Sequence, residues 1–233
     1  MADPKQLSGA KAAEFIEDGM TVGLGTGSTV HFSLLRLAER IRIEKLCVRG
    51  VPTSLDTERK ARELAIPLAS LDEIARIDLT IDGADEIDPA FDMIKGGGGA
   101  LLREKVVASI TRREVIVVGE SKLVTKLGTS FALPLEVVPF ALPVVTRALV
   151  ALGAEPCERV REGRPYRSDN GNAILDCRFP HGIDDAPALE RTLARIPGLV
   201  ESGLFIGLAH VLVIGRADGS VEVRTKDARR PAG

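Results

Sequence analysis

Aromatic side chains are scarce in this 233-residue chain, at 3 % of residues with one Tyr and no Trp. The chain therefore has no stacking platform for bases or sugar rings, and a bound ligand has to be held by polar groups. Cysteine is nearly missing as well. Cys47, Cys157 and Cys177 are odd in number, far apart and without Cys-x-x-Cys spacing. That argues against a disulfide framework and a zinc site, and it fits a reducing compartment. Neither charge sign is in excess: 31 Lys plus Arg against 33 Asp plus Glu give a net charge of -2. Such a balance offers no basic field for a nucleic-acid backbone. No apolar run approaches the roughly 20 residues of a membrane span, and the opening Met-Ala-Asp-Pro-Lys-Gln lacks the apolar stretch of a signal peptide. The expectation is a soluble, cytoplasmic protein with a small charged ligand and neither nucleic acid nor membrane as partner.

What is present is an alternation of apolar periodicities. Lys5 to Ile16 carries helical spacing, Met20 to Leu24 reads as a strand, and His31 to Ile41 reads as a helix. Strand, helix and strand follow at Leu46 to Val51, Leu55 to Leu64 and Ile77 to Ile81. A helix from about Ala100 to Thr111 leads to the apolar strand Val115 to Val118. This alternation predicts an α/β fold, a Rossmann-like parallel sheet wrapped by helices on both faces. Pro134, Pro139 and Pro143 then punctuate the chain where a second unit is expected to begin. Its order is strand (Leu135 to Val138), helix (Val144 to Leu152), strands (Glu155 to Arg161 and Ala173 to Arg178), helix (Pro187 to Ile196) and strand (Leu199 to Ser202). That order matches a smaller ferredoxin-like α+β unit over residues 131–203. Val211 to Ile214 and Val221 to Thr225 form a hairpin that could return to the first sheet, so the first unit takes residues 1–130 and 204–233.

In an open parallel sheet, ligands bind beyond the carboxyl ends of the strands, where loops and helix N-termini converge. Gly25-Thr-Gly-Ser-Thr29, Asp82-Gly-Ala-Asp85 and Gly119-Glu-Ser-Lys122 each directly follow a predicted strand. The first suits a phosphate, with glycines for close backbone approach and hydroxyls at a helix start, although a capped strand-to-helix turn would look the same. It is not a Walker motif, and the next strand ends in Val51-Pro-Thr-Ser54 without a ribose-binding acid, which disfavours a nucleotide. Asp82, Asp85, Glu86 and Asp88 put four carboxylates in seven residues, open to reading as a solvated acidic turn or as oxygen ligands. Lys95-Gly-Gly-Gly-Gly99 has a large entropy cost that a close backbone approach to a ligand would justify; the rival is a flexible linker. Glu104 sits in the first turns of the following helix, where by position alone it serves the helix dipole. His31, His181 and His210 have no metal-site spacing, and a surface or packing role suits each.

Taken together, Gly23-Leu-Gly-Thr-Gly-Ser-Thr29, Asp82-Gly-Ala-Asp-Glu86, Lys95-Gly-Gly-Gly-Gly-Ala-Leu101, Arg103-Glu-Lys105 and Ser121-Lys122 closely resemble the signature segments of type A ribose-5-phosphate isomerase. The likeness continues through Asp169 to Asp176, Ile196-Pro-Gly198 and Gly203-Leu-Phe205, so it covers nearly the whole chain. The resemblance implies interconversion of ribose 5-phosphate and ribulose 5-phosphate through an enediolate, in the non-oxidative pentose phosphate pathway. It implies that Glu104 moves the proton between carbons 1 and 2 and that Lys95 is the donor for the oxyanion. Asp82 and Asp85, with Gly83 and Ala84 between them, would hold sugar hydroxyls and assist ring opening or proton shuttling. Thr26, Gly27, Ser28 and Thr29, the loop Gly96, Gly97 and Gly98, and Lys122 would hold substrate, with the hydroxyl loop at the phosphate and Lys5 within possible reach of it. No cofactor and no metal are implied, and a homodimer or larger is. A helix N-terminus with Arg103 and Lys105 pulls the Glu104 pKa down while burial pushes it up, and both directions stay open. A non-catalytic sugar-phosphate sensor is the rival function, opposed by Glu104 beside Lys95 and by the lack of a basic DNA-binding helix. A nicotinamide oxidoreductase is opposed by the missing ribose acid.

Overall fold

The structure, a computed structural model, describes residues 3–226. Met1, Ala2 and residues 227–233, the last of which the sequence assigns to the first unit, lie outside the described residues. The chain opens with α1 (Pro4–Ala13), whose start is set by Pro4 in the first turn and by the Asp3 side chain accepting from Lys5 N. There follow β1 (Thr21–Leu24), α2 (Ser28–Glu44), β2 (Arg49–Pro52), α3 (Leu55–Glu63) and β3 (Ile77–Gly83). Two short strands, β4 (Glu86–Ile87) and β5 (Met93–Ile94), precede α4 (Leu101–Ser109) and the long β6 (Thr111–Gly119). The second half runs β7 (Leu133–Val137), α5 (Leu142–Ala151), β8 (Glu155–Glu158), β9 (Val160–Arg161), β10 (Arg164–Pro165) and β11 (Ala173–Arg178). It ends with α6 (Ala186–Leu193), β12 (Leu199–Ser202), β13 (Leu204–Phe205), β14 (Val211–Gly215) and β15 (Val221–Thr225).

Six strands form the main sheet in the order β15-β14-β6-β3-β1-β2, parallel throughout except for the antiparallel edge strand β15. The chain moves from β1 outward to β2 and then back across to β3. The direction of winding therefore reverses between β1 and β3, and the strand ends open a crevice there. The strands are apolar on both faces because helices cover both. On β6, Val115 and Val117 pack with Ala12, Leu34 and Leu37 from α1 and α2. Ile116 and Val118 face the other way, against Leu101 and Ala108 of α4 and against Phe205. Each such fully buried aliphatic side chain contributes about 1.5–3 kcal/mol relative to exposure. Gly23 on β1 leaves room for Thr80 of β3, whose side chain a Cβ would strike.

The second sheet has the order β12-β7-β11-β8, all antiparallel, as in a ferredoxin-like βαββαβ unit. Val145 and Leu149 of α5 and Leu193 of α6 pack on Leu133, Leu135 and Val137 of β7. A three-stranded ribbon, β13-β5-β4, carries the chain beside the crevice. The expected hairpin does return, with β14 parallel to β6.

Several element ends differ from the periodicity. α2 starts at Ser28 rather than His31, because Gly27 makes the turn at φ 132° and the hydroxyl residues enter the first helical turn. β6 starts at Thr111, immediately after α4, instead of at Val115. The strand expected from Glu155 to Arg161 breaks at Arg159, where β8 leaves the second sheet and β9 turns into a separate ribbon with β10. The ribbon β4-β5-β13 was not expected, since two-residue strands carry no readable period.

Candidate active site

The three strand-end loops meet at the crevice between β1 and β3, around a cavity of about 240 Å³. Thr26, Gly27, Ser28 and Thr29 form one wall at the N-terminus of α2. No side chain caps this 17-residue helix, so its first N–H groups face the cavity and suit an anion. Lys5 also lines the cavity, and its ammonium donates to Ser28 Oγ at 3.2 Å. Lys122 lines the opposite side, with its ammonium 5.7 Å from the Phe131 ring centre. Thr26 is also tied to the residues after β2. Its hydroxyl lies 2.8 Å from Thr53 Oγ1, 2.8 Å from Ser54 Oγ and 3.2 Å from Thr57 Oγ1, a hydroxyl cluster that pins the loop from behind.

Gly83, Ala84 and Asp85 line the cavity floor together with Lys95, Gly96, Gly97, Gly98 and Glu104. The Asp85 N–H donates to Ile94 O (2.8 Å), and its Oδ2 accepts from Gly97 N (2.7 Å), so β5 and the glycine loop aim this carboxylate. Asp82 occupies a different place from Asp85. It is 1 % exposed, is not among the cavity-lining residues, and its Oδ1 accepts from Thr26 N (3.1 Å) and Gly83 N (2.7 Å). It lies behind the floor because β3 points alternate residues toward α4, and Asp82 is one of them. From there it braces the hydroxyl loop and Lys95.

Lys95 is 2 % exposed. Its ammonium lies 3.0 Å from Asp82 Oδ2 and 3.5 Å from Glu104 Oε2, and it donates to Gly83 O at 2.5 Å. Burial pulls its pKa down, but Asp82 and Glu104 outweigh burial and hold it well above the ordinary lysine value, so the ammonium stays charged. Glu104 is 5 % exposed, and its Oε2 has no hydrogen-bond partner. Burial pushes its pKa up to about 8; Lys95 opposes this, and Asp82 and Asp85 add to it. The competition left open by the sequence is therefore won by burial. Helix position puts Glu104 on the face of α4 turned toward the sheet, not on the solvent face where a charge would only serve the dipole.

The acidic run splits into distinct tasks. Asp88 closes a turn by accepting from Ala90 N and Asp92 N. Glu86 is buried and accepts from Gly128 N, Ser130 N and Phe131 N, anchoring the loop after Lys122. Glu114 was not foreseen. It is 2 % exposed on β6, its Oε2 has no partner, and burial raises its pKa well above the carboxylate range, with Asp82 adding to the rise. Its sequence context gave little signal, since Glu114 closes the charged run Arg112-Arg113-Glu114 ahead of the apolar Val115 to Val118 and reads as part of an exposed strand start. His210 takes a packing role, its Nδ1 accepting from Glu114 N. Among the described residues no group of three or more His, Cys, Asp or Glu is arranged to hold a metal ion.

Residues 49–219 match the family model of ribose 5-phosphate isomerase A (phosphoriboisomerase A). The chain is 48 % identical over 222 residues to ribose-5-phosphate isomerase A of Bacillus mycoides, covering 95 % of this chain and 100 % of that one. It is 48 % identical over 227 residues to the protein of the same name from Listeria innocua, covering 97 % and 100 %. Among solved structures, ribose 5-phosphate isomerase A from Methanocaldococcus jannaschii superposes with a TM-score of 0.91 at 41 % identity, over 96 % of this chain and 99 % of that one. A D-ribose-5-phosphate isomerase in complex with phospho-erythronic acid gives 0.91 at 38 % identity, over 95 % and 97 %. Near-complete coverage in both directions, in sequence and in fold, places this chain in the ribose 5-phosphate isomerase A family.

Proposed function

We propose that this isomerase interconverts D-ribose 5-phosphate and D-ribulose 5-phosphate through an enediolate, with Glu104 as the proton-transferring base. The observation that carries the reading is the buried pair of Glu104 and Lys95 at the floor of a cavity whose wall is an uncapped helix N-terminus. The phosphate rests on the first turn of α2, with Ser28, Thr29, Lys5 and Lys122 around it. The open-chain sugar then lies across Gly97 and Asp85 toward Glu104.

Glu104, in its carboxylate form, takes the proton from carbon 2 of the aldose. The electron pair released forms the C1–C2 double bond, and the aldehyde oxygen becomes the enediolate oxygen, stabilised by the Lys95 ammonium. Glu104 returns its proton to carbon 1, and the hydroxyl proton on oxygen 2 passes to oxygen 1, which yields the ketose. Asp85 is the cavity carboxylate available for that oxygen-to-oxygen transfer and for ring opening. Asp82 acts behind it, holding Lys95. A carboxyl with its proton affinity raised toward the working pH makes a stronger base than an ordinary one.

The reading extends to a place in the pentose phosphate pathway and to a cytoplasmic location. No helix among the described residues is long and apolar enough to cross a membrane, and the three cysteines are free, which agrees with that location. The two separate sheets support a division into a catalytic unit (1–130 and 204–233) and a smaller unit (131–203). A homodimer or larger is proposed as well, and the exposed Phe140 and Val144 of the smaller unit are apolar surface it could cover. A single monomeric species in sedimentation would contradict that part.

The test follows ketose formation from ribose 5-phosphate, with a chelator present, for the native chain and Glu104→Gln. Native turnover with a loss of roughly 10²–10⁴-fold or more in the variant supports the base assignment. Native protein that binds the sugar phosphate without turnover favours a sensor instead.

A further inference from the structure

Four successive glycines have more conformational freedom to lose than any other four residues, yet Gly96 to Gly99 hold a defined turn, with Gly99 N donating to Gly96 O at 2.9 Å. The tether comes from outside the main sheet. Arg159, at the break between β8 and β9, donates from Nη1 to Gly96 O (3.0 Å) and to Gly97 O (3.1 Å). The other edge of the same guanidinium is gripped by Asp176 on β11, Nε to Oδ2 at 2.9 Å and Nη2 to Oδ1 at 2.5 Å. Such a planar, two-pronged grip fixes the fork, and Asp176 is itself fixed by the antiparallel ladder on both sides. Tyr166 adds to the tether, its hydroxyl donating to Gly98 O at 3.3 Å.

No peptide bond among the described residues is cis, so each N–H in this turn points opposite to the carbonyl of the same peptide. With the carbonyls of Gly96 and Gly97 held toward Arg159, the N–H groups of Gly97 and Gly98 point away from it. The first meets Asp85 Oδ2 at 2.7 Å. The second takes no protein acceptor among the described residues and belongs to a residue that lines the cavity.

We propose that Arg159, braced by Asp176, is a positioning residue for the isomerisation: it holds the glycine loop by its outer carbonyls so that Gly97 N–H aims Asp85 and Gly98 N–H is presented to a substrate oxygen. Arg159 never touches the sugar. It acts through two peptide groups, and its positive charge on their carbonyls also polarises their N–H groups as donors. This rests on the reading that the cavity takes the sugar across the glycine loop.

The test compares native protein, Arg159→Lys and Arg159→Met in kcat and KM for ribose 5-phosphate, inhibition by inorganic phosphate, and hydrogen exchange of the Gly97 amide. Loosening the loop should lower kcat about 10- to 100-fold in Arg159→Met, since a misplacement near 1 Å has that effect. Arg159→Lys should fall between the two, because one ammonium cannot hold both carbonyls and Asp176 in a plane. Phosphate inhibition should not move, as the α2 terminus is a separate wall, while the Gly97 amide, hydrogen-bonded to Asp85, exchanges at least roughly tenfold faster. Arg159→Met with kcat within about twofold of an active native enzyme would overturn the proposal, and so would unchanged amide exchange. If Arg159→Met does not fold, Arg159→Lys supplies the same comparison with the stem and charge retained. An inactive native chain would count against the isomerase reading itself, and the exchange arm would still decide whether the clamp holds the loop.

Discussion

Lys95 Nζ stands 3.5 Å from Glu104 Oε2, and both side chains are almost completely removed from solvent. The ammonium is shared, since Asp82 Oδ2 is closer, at 3.0 Å. Removing the cation would leave two buried carboxyls, one of them already above the ordinary carboxylate range, with nothing to balance them. Lys95→Met should therefore destabilise the fold by about 3–5 kcal/mol, as expected for one partner taken from a buried ion pair, and abolish turnover. Urea unfolding of the variant beside Glu104→Gln checks this. A loss below ~1 kcal/mol would mean that water already enters the pair.

The raised Glu104 pKa sets a pH dependence of definite sign. The unfolded chain releases this proton near the ordinary value of 4.5, whereas the folded protein keeps it to about 8. Between those values the folded state binds more protons, so the contribution of Glu104 to stability is fully present below the lower value and is lost as pH rises through the upper one. Relative to Glu104→Gln, native stability should fall from about pH 5 to about pH 8. The activity should run the opposite way. The kcat/KM of the native enzyme should climb toward about pH 8 as the free base forms, because that parameter reports groups in the free enzyme. A flat profile over the same range would argue against Glu104 as the titrating base.

A methyl group on Gly97 would come within 2.7 Å of Asp85 Oδ1, at the point where the loop and the carboxylate are hydrogen-bonded. Gly97→Ala should push Asp85 out of line and lower kcat by roughly 10²-fold while the fold persists, since misplacement of that size disrupts near-attack geometry. Steady-state kinetics with a thermal melt on the same sample separates the two effects.

Phosphate affinity should sit apart from the proton transfer. Ser28 and Lys5 meet at the first turn of α2, both exposed to the cavity mouth. The double variant Lys5→Met with Ser28→Ala should raise KM about tenfold and leave kcat within a few-fold, the pattern of lost uniform binding. Inhibition by inorganic phosphate should weaken in parallel.

Much of this site could be read along the chain because its parts are local. A strand that ends in Gly25 to Thr29, another that ends at Asp82 to Asp85, and the run Lys95 to Gly99 are contiguous segments. A parallel sheet brings such ends to one edge by its connectivity alone. Distances between segments are not encoded that way. Whether Asp82 lines the cavity or lies behind its floor depends on the side-chain alternation of β3 and on which face α4 covers. The Thr26 hydroxyl closes a cluster with Thr53, Ser54 and Thr57, some thirty residues on.

By itself the sequence determined the fold class, the family likeness and the chemical types gathered at the crevice, since periodicity, glycine spacing and contiguous motifs are properties of neighbouring residues. Only the tertiary structure decided the electrical state of Glu104, the shared ammonium of Lys95, the buried Glu114 and the hold of Arg159 on the glycine loop. Burial and ion pairing depend on what lies across a few ångströms of space. Arg159 and Gly97 are 62 residues apart in the chain, and no local pattern joins them.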